Sequence, residues 1–279
     1  MLLGMQLIFP NRELDLSQPR VMGILNVTPD SFSDGGLYAA KDAALAHVEQ
    51  MLNEGADIID VGGESTRPGA TAVSAAEEID RVVPVIEALR QHSSVPISVD
   101  TSKPEVMLAA ARAGASMIND VRALEKEGAL EAAADTGLPV CVMHMQGQPA
   151  TMQEQPTYSD VVREVQAYLD RRIAACKSAG IQNVVIDPGF GFGKTLEHNL
   201  SLFRALPDFA KAEAPLLIGV SRKSMIGAML GDMERDRTVA SVVMALAAVR
   251  SGAHILRVHD VQQTVDALRI EAALQADSV

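Results

Sequence analysis

The sequence predicts an α/β protein folded as a single-domain (β/α)8, or TIM, barrel, and three observations lead to that class. Short apolar runs alternate about eight times with longer amphipathic, Ala-rich segments, the pattern of parallel strands buried on both faces. Nearly every apolar run ends on a polar or charged residue just before a loop and helix. The chain has 279 residues, the size of one such barrel. A doubly wound open sheet would alternate in the same way. However, no strand is followed by G-x-G-x-x-G with a helix behind it, and GFGFG at 189–193 has the wrong order for a dinucleotide turn.

Residues 1–20 read as an N-terminal extension, a hairpin closing the bottom of the domain, and the barrel then occupies 21–279. The first strand, Val21 to Leu25, ends on Asn26 and leads through VTPDSFSDGGLY to a helix over Lys41 to Asn53. The second, Asp57 to Val61, carries Asp60 near its tip and runs into GGESTRPGA. Ser74 and Glu77 then form a capping box for a helix to Gln91. The third strand starts at Val95 and stops on Asp100. Ser102 with Glu105 reads as another capping box, and Pro104 sits in the first turn of a helix to Arg112, which leaves Asp100 without a capping duty. The fourth, Ser116 to Ile118, is tipped by Asn119 and Asp120, with a helix over Ala129 to Asp135. The fifth, Pro139 to Met143, is tipped by His144; the loop MQGQPATMQEQPT and a helix over Ser159 to Ser178 follow. The sixth, Val184 to Ile186, is tipped by Asp187 and enters PGFGFGKT; its helix carries Leu200, Leu202 and Phe203. The seventh, Leu216 to Val220, is tipped by Ser221, Arg222 and Lys223. The eighth, Ala253 to Leu256, is tipped by Arg257, His259 and Asp260, and a last helix runs from Val261 to Leu274.

Composition narrows the function classes. The chain is 48% hydrophobic but only 3% aromatic, with no Trp, so Ala, Val, Ile, Leu and Met must fill a large core. A net charge of -12 repels nucleic acid and anionic membrane, and neither is expected as a partner. Cys141 and Cys176 fall inside a predicted strand and a predicted helix and read as buried thiols in a reducing compartment. The N-terminal MLLGMQLIFPNREL lacks a basic leader and a cleavage site, and no stretch approaches a membrane span, so a cytoplasmic location is expected.

In a barrel the C-terminal strand ends converge on one mouth. The converging set is Asn26, Asp60, Asp100, Asn119, Asp120, His144, Asp187, Arg222, Lys223, Arg257 and His259. Taken singly, each fits a cap, a turn or a surface ion pair. Together, several carboxylates and an Asn in one apolar cup suit a polar heterocycle with neighbouring N–H donors, because a carboxylate accepts two parallel bonds from a guanidine-like edge. Arg67, Lys223, Arg257 and His259 gather cations on an acidic chain and favour an anionic group, with phosphate the usual occupant near strands seven and eight. His144 has no second His or Cys at ligand spacing, which argues against zinc. No G-x-S-x-G or Cys–His nucleophile pair is present. The first, second and fifth mouth loops are long and rich in Gly, Pro, Ser or Gln, as lids often are.

These segments occur in a telling order: VMGILNVTPDSFSDGG, IIDVGGESTRPGA, ISVDTSKPEV, INDVRAL, VCVMHMQGQPATMQ, VIDPGFGFGKT, GVSRKSMIG and LRVHDV. From about Val21 to Leu274 the chain resembles the dihydropteroate synthase family of the folate pathway; only Gly231 to Arg237 looks variable. The resemblance implies a TIM barrel that joins 6-hydroxymethyl-7,8-dihydropterin pyrophosphate to p-aminobenzoate, with Mg²⁺, by an SN1-like path. It implies that Asp100, Asn119, Asp187 and Lys223 hold the pterin and that Asn26 ligates Mg²⁺ together with pyrophosphate oxygens. By the same resemblance Thr66, Arg67, Arg257 and His259 take the pyrophosphate. Ser221, Phe190, Pro68 and Arg67 border the p-aminobenzoate site, where sulfonamides compete; Asp100, Lys223 and Arg67 carry the catalysis.

Two other readings stay open on sequence alone. A methyltetrahydrofolate-dependent methyltransferase would share the Asp/Asn cup but lack GGESTRPG and SRKS. A non-catalytic pterin-binding paralogue would lack Arg67 or Lys223. The helix over Thr238 to Arg250, TVASVVMALAAVR, is apolar on nearly every face, which together with the resemblance predicts a homodimer.

Overall fold

A hairpin opens the computed structural model, which describes residues 5–28, 36–65, 72–147, 152 and 156–275, and no side chain of 36–40. Strands β1 (Gln6–Phe9) and β2 (Arg12–Asp15) pair antiparallel. Eight parallel strands follow: β3 (Arg20–Asn26), β4 (Ile58–Gly62), β5 (Ile97–Asp100), β6 (Met117–Asp120), β7 (Val140–Met143), β8 (Val184–Asp187), β9 (Leu217–Ile218) and β10 (Ile255–Val258). Their order is β8-β7-β6-β5-β4-β3-β10-β9, and a parallel bridge between Ile186 and Leu216 joins the two ends. This is the (β/α)8 barrel that the alternation predicts. The helices are α1 (Gly36–Glu54), α2 (Ala75–His92), α3 (Pro104–Ala113), α4 (Ala129–Thr136), α5 (Val161–Ser178), α6 (Leu196–Arg204), α7 (Leu206–Phe209), α8 (Ser224–Leu230), α9 (Thr238–Arg250) and α10 (Val261–Gln275).

Two apolar clusters hold the barrel together. The larger fills the space between sheet and helices, for example Val61, Val99 and Ile118 against Val82, Ile86, Val106 and Ala110. The smaller closes the base: Met22, Ile58, Met117, Cys141, Val185, Leu217 and Ile255 line the interior and meet Leu7, Phe9, Leu14 and Leu16 of the hairpin and the residue after it. Each such side chain, fully removed from water, contributes roughly 1.5–3 kcal/mol. Both cysteines are buried and unpaired. Among the described residues no helix is long and apolar enough to cross a membrane.

Local details differ from expectation in four places. Ser74 caps α2 by accepting the Glu77 N–H, but the Glu77 carboxylate turns to Arg81 at 2.6 Å, so only half of the expected capping box forms. The capping box of Ser102 and Glu105 does not form, however. Lys103 is the N-cap residue of α3 and gives no side-chain cap, while the Ser102 hydroxyl donates to Asp120. The buried Asp120 carboxylate takes that hydroxyl along with the N–H groups of Arg122 and Leu124. A buried acid needs donors more than α3 needs a cap, since its first turn already starts at Pro104. The helix after β8 is two pieces, broken at Ala205 before Pro207, whose ring cannot donate a helical hydrogen bond. A short helix, α8, also begins directly after Lys223 and ends at Gly231 in the left-handed region.

Candidate active site

The C-terminal strand ends build one polar cup. At its centre lies Arg257 on β10. Its Nε donates to Asp60 Oδ2 at 2.6 Å and a terminal nitrogen donates to Asp100 Oδ2 at 2.8 Å, so one guanidinium bridges the tips of β4 and β5. Asn119, on β6, donates its Nδ2 to the same Asp60 oxygen at 3.1 Å. Burial opposes the charge of Arg257, but Asp60 and Asp100 more than offset it and raise its pKa. Burial pushes Asp100 up to about 7, with Arg257 pulling back and the neighbouring acids Asp60, Asp120 and Glu78 adding to the rise.

Across the cup stands Asp187 at the tip of β8. The Gly189 N–H donates to its Oδ1 at 2.7 Å. Burial raises its pKa, opposed chiefly by Lys223. Lys223 donates to the Phe190 carbonyl and lies 4.7 Å from the centre of the Phe192 ring. Burial lowers it to about 8, with Asp187 resisting. Phe190 gives the cup its carbonyl, because its ring is buried against Phe203. Ser221 and His259 pair at the tips of β9 and β10: the hydroxyl accepts the His259 N–H at 3.2 Å and lies 3.1 Å from Nδ1. Asn26 ends β3 opposite Gly62. A Cβ added to Gly62 would lie 3.7 Å from Asn26 Oδ1 and 3.9 Å from Asp100 Oδ2, which sets those two oxygens on either side of one bare glycine.

The structure thus gathers Asp60, Asp100, Asn119 and Arg257 on one side, Asp187 and Lys223 on the other, and Ser221 with His259 at the rim. Thr66, Arg67 and Pro68 lie outside the described residues. Three members of the predicted converging set do not join the cup. Asp120 is spent on Ser102 and the turn at 122–124, where Ala123 and Leu124 adopt positive φ. Arg222 turns outward to Asp260, with φ at 58°, so that its neighbours Ser221 and Lys223 both face inward. His144 is buried beneath Tyr168, edge-on at 4.9 Å. Its Nδ1 accepts from Lys194 at 3.0 Å, and burial and that ammonium depress it to about 3, so it stays neutral.

Two supporting groups lay unread in the sequence. Lys194 is buried, and its ammonium also reaches the carbonyls of Gly189 at 2.8 Å and Phe192 at 2.9 Å, tying down the loop that carries Phe190. Gly189 is held so close to β7 that an added Cβ would be 1.9 Å from the His144 carbonyl oxygen. A lone Lys closing a Gly-alternating run was the available signal. Lys103 bridges Glu64 at 2.8 Å and the fully buried Glu78, and Glu64 also accepts the Val73 N–H at 3.0 Å. The apparent capping box around Lys103 concealed it.

With this geometry established, comparison with known proteins is specific. Residues 22–259 match the family described as pterin binding enzymes. The dihydropteroate synthase of Escherichia coli K12 is 57% identical over 275 residues, covering 98% of both chains. The Yersinia pestis dihydropteroate synthase, solved as a sulfonamide drug complex, superposes with a TM-score of 0.92 at 53% identity, over 98% of this chain and 100% of that one. The Xanthomonas albilineans enzyme with 4-aminobenzoic acid superposes with a TM-score of 0.91 at 51% identity, over 98% and 99%.

Proposed function

This chain belongs to the dihydropteroate synthases, a family of pterin-binding enzymes, and from that premise we propose a role for each polar residue of its barrel mouth. It is a transferase of folate biosynthesis that condenses 6-hydroxymethyl-7,8-dihydropterin pyrophosphate with p-aminobenzoate, giving 7,8-dihydropteroate and pyrophosphate. One observation carries the assignment of roles. Acceptor oxygens at the tips of β5, β6 and β8 lie beside the cations Arg257 and Lys223 at one end of the barrel.

In this reading Asp100, Asn119, Asp187 and Lys223 hold the pterin. With its Nδ2 held by Asp60, Asn119 offers Oδ1, so three acceptors meet the donor edge of the ring, and Lys223 donates to its ring acceptors. Thr66, Arg67, Arg257 and His259 take the pyrophosphate. Arg257 exchanges Asp100 for phosphate oxygens, which frees Asp100 for the pterin. Ser221, Pro68, Arg67 and the backbone at Phe190 border p-aminobenzoate.

Among the described residues no group of three or more His, Cys, Asp and Glu is placed to hold a metal ion. A lone hard oxygen, Asn26 Oδ1, at the mouth beside Asp100 fits Mg²⁺, which prefers substrate phosphates and water to an all-protein cage. Asn26 would hold it, and when bound it supplies positive charge to the departing pyrophosphate. Arg257 and His259 stabilise the negative charge that grows on the pyrophosphate, most strongly as the bond breaks. The methylene carbon left behind is cationic and conjugated with the ring, and Asp100 and Asp187 favour it. The acceptor amine is weakly basic, so positioning matters more than a strong base, and the path is SN1-like.

The same proposal includes a homodimer in the cytoplasm. Val239 and Val243 on α9 and Ile270 and Leu274 on α10 are 75%, 60%, 62% and 78% exposed, an apolar strip suited to a second copy. The direct test is pyrophosphate release when the purified chain meets dihydropterin pyrophosphate and p-aminobenzoate with Mg²⁺. Release that requires both substrates is expected, and none would overturn the reading.

A further inference from the structure

The deepest acid of the cup, Asp60, enters the scheme so far only as the partner of Asn119 Nδ2. Asp60 lies on β4 with none of its surface exposed. Its Oδ2 takes two donors, Arg257 Nε at 2.6 Å and Asn119 Nδ2 at 3.1 Å, while its Oδ1 is buried with no hydrogen-bond partner among the described residues. A half-satisfied carboxylate is a costly choice for a barrel interior, where an apolar side chain would pack without loss. It is kept where a site demands a particular arrangement.

We propose that Asp60 is a positioning residue of the reaction: one oxygen sets both which face of the Asn119 amide and which nitrogens of Arg257 are offered to the substrate. With Nδ2 committed downward, the amide can present only its oxygen upward. With Nε committed, the guanidinium keeps its terminal nitrogens for Asp100 or for an anion, and it can swing between them about a fixed point. Without Asp60, the amide is free to turn over and put a donor against the donor edge of the pterin. Arg257 then collapses wholly onto Asp100. The role rests on the pterin reading of the cup given above, and Asp60 need touch neither substrate nor reacting atom.

The test is Asp60→Leu in the full chain, which nearly keeps the shape and removes both acceptor oxygens. Calorimetry with 6-hydroxymethyl-7,8-dihydropterin, without pyrophosphate, should show affinity 10- to 100-fold weaker than wild type. The KM for p-aminobenzoate should stay within twofold. Wild-type affinity in the variant would overturn the proposal, and so would equal losses toward both ligands, which mark general damage. If the wild-type chain itself fails to bind the dihydropterin, the pterin reading is at fault and this role falls with it. Should the variant not fold, the wild-type chain decides. The side-chain NH2 protons of Asn119 should exchange slowly with solvent in the free protein, and fast exchange would overturn the proposal.

Discussion

The two ends of the barrel interior differ in kind, although they sit on the same strands. On β4, Ile58 lines the base and Asp60 the mouth; on β6 the pair is Met117 and Asn119; on β8, Val185 and Asp187; on β10, Ile255 and Arg257. Each pair is two residues apart, so both members point the same way, and the interior changes from apolar to ionic over about 7 Å. The base, plugged by the hairpin, stabilises by removing carbon from water. The mouth works by opposed charges held close, and it keeps at least one buried oxygen, Asp60 Oδ1, without a partner among the described residues. Stability and chemistry are therefore separable along each strand.

The largest break in that separation should come from the base. Phe9→Ala removes a hairpin ring that is only 4% exposed, and urea denaturation should show a loss of about 3–5 kcal/mol. Dihydropterin affinity below the transition should not change, and a parallel loss would mean that the base shapes the mouth. Arg67→Ala, which removes a proposed pyrophosphate ligand, should lower kcat/KM for dihydropterin pyrophosphate by about 100-fold, roughly 2.7 kcal/mol, through lost charge stabilisation. It should leave binding of dihydropterin without pyrophosphate nearly intact. Equal losses would place Arg67 in the pterin cup or in the fold.

A smaller effect follows from pH. Asp100 gains a proton below about 7 and ceases to be a full acceptor, while Lys223 loses one above about 8 and ceases to be a full donor. The profile of kcat/KM should therefore be bell-shaped with its shoulders near those values, each limb falling at most about tenfold per pH unit. A flat profile between pH 6 and 9 would contradict the two roles.

The sequence made the barrel legible because its signals are local. Continuous apolar strands and a polar stop at each tip survive into the fold with boundaries shifted by a few residues, as at β5, which starts at Ile97. The cup was legible for the same reason, since position on a strand decides which end of the barrel a residue reaches. What was not legible depended on partners distant in sequence. Ser102 looked like a cap, but Asp120, eighteen residues on, claims its hydroxyl. His144 looked like a mouth residue, but Lys194, fifty residues on, holds it among carbonyls. The partnership of Asp60 and Arg257 spans 197 residues and leaves no mark in either neighbourhood. At β9 the strand is only Leu217–Ile218, because the chain leaves the ladder early to form the tip that carries Ser221 and Lys223.

The measurement that bears most directly on the separation of base and mouth is calorimetric titration of dihydropterin into Asp187→Asn and Asp100→Asn. Each carboxylate sits at a buried strand tip facing the cup. Affinity should fall by about 1–3 kcal/mol in each variant, the range for a charge-assisted hydrogen bond lost from a buried site. Unchanged affinity in both would contradict the account and return these acids to the fold.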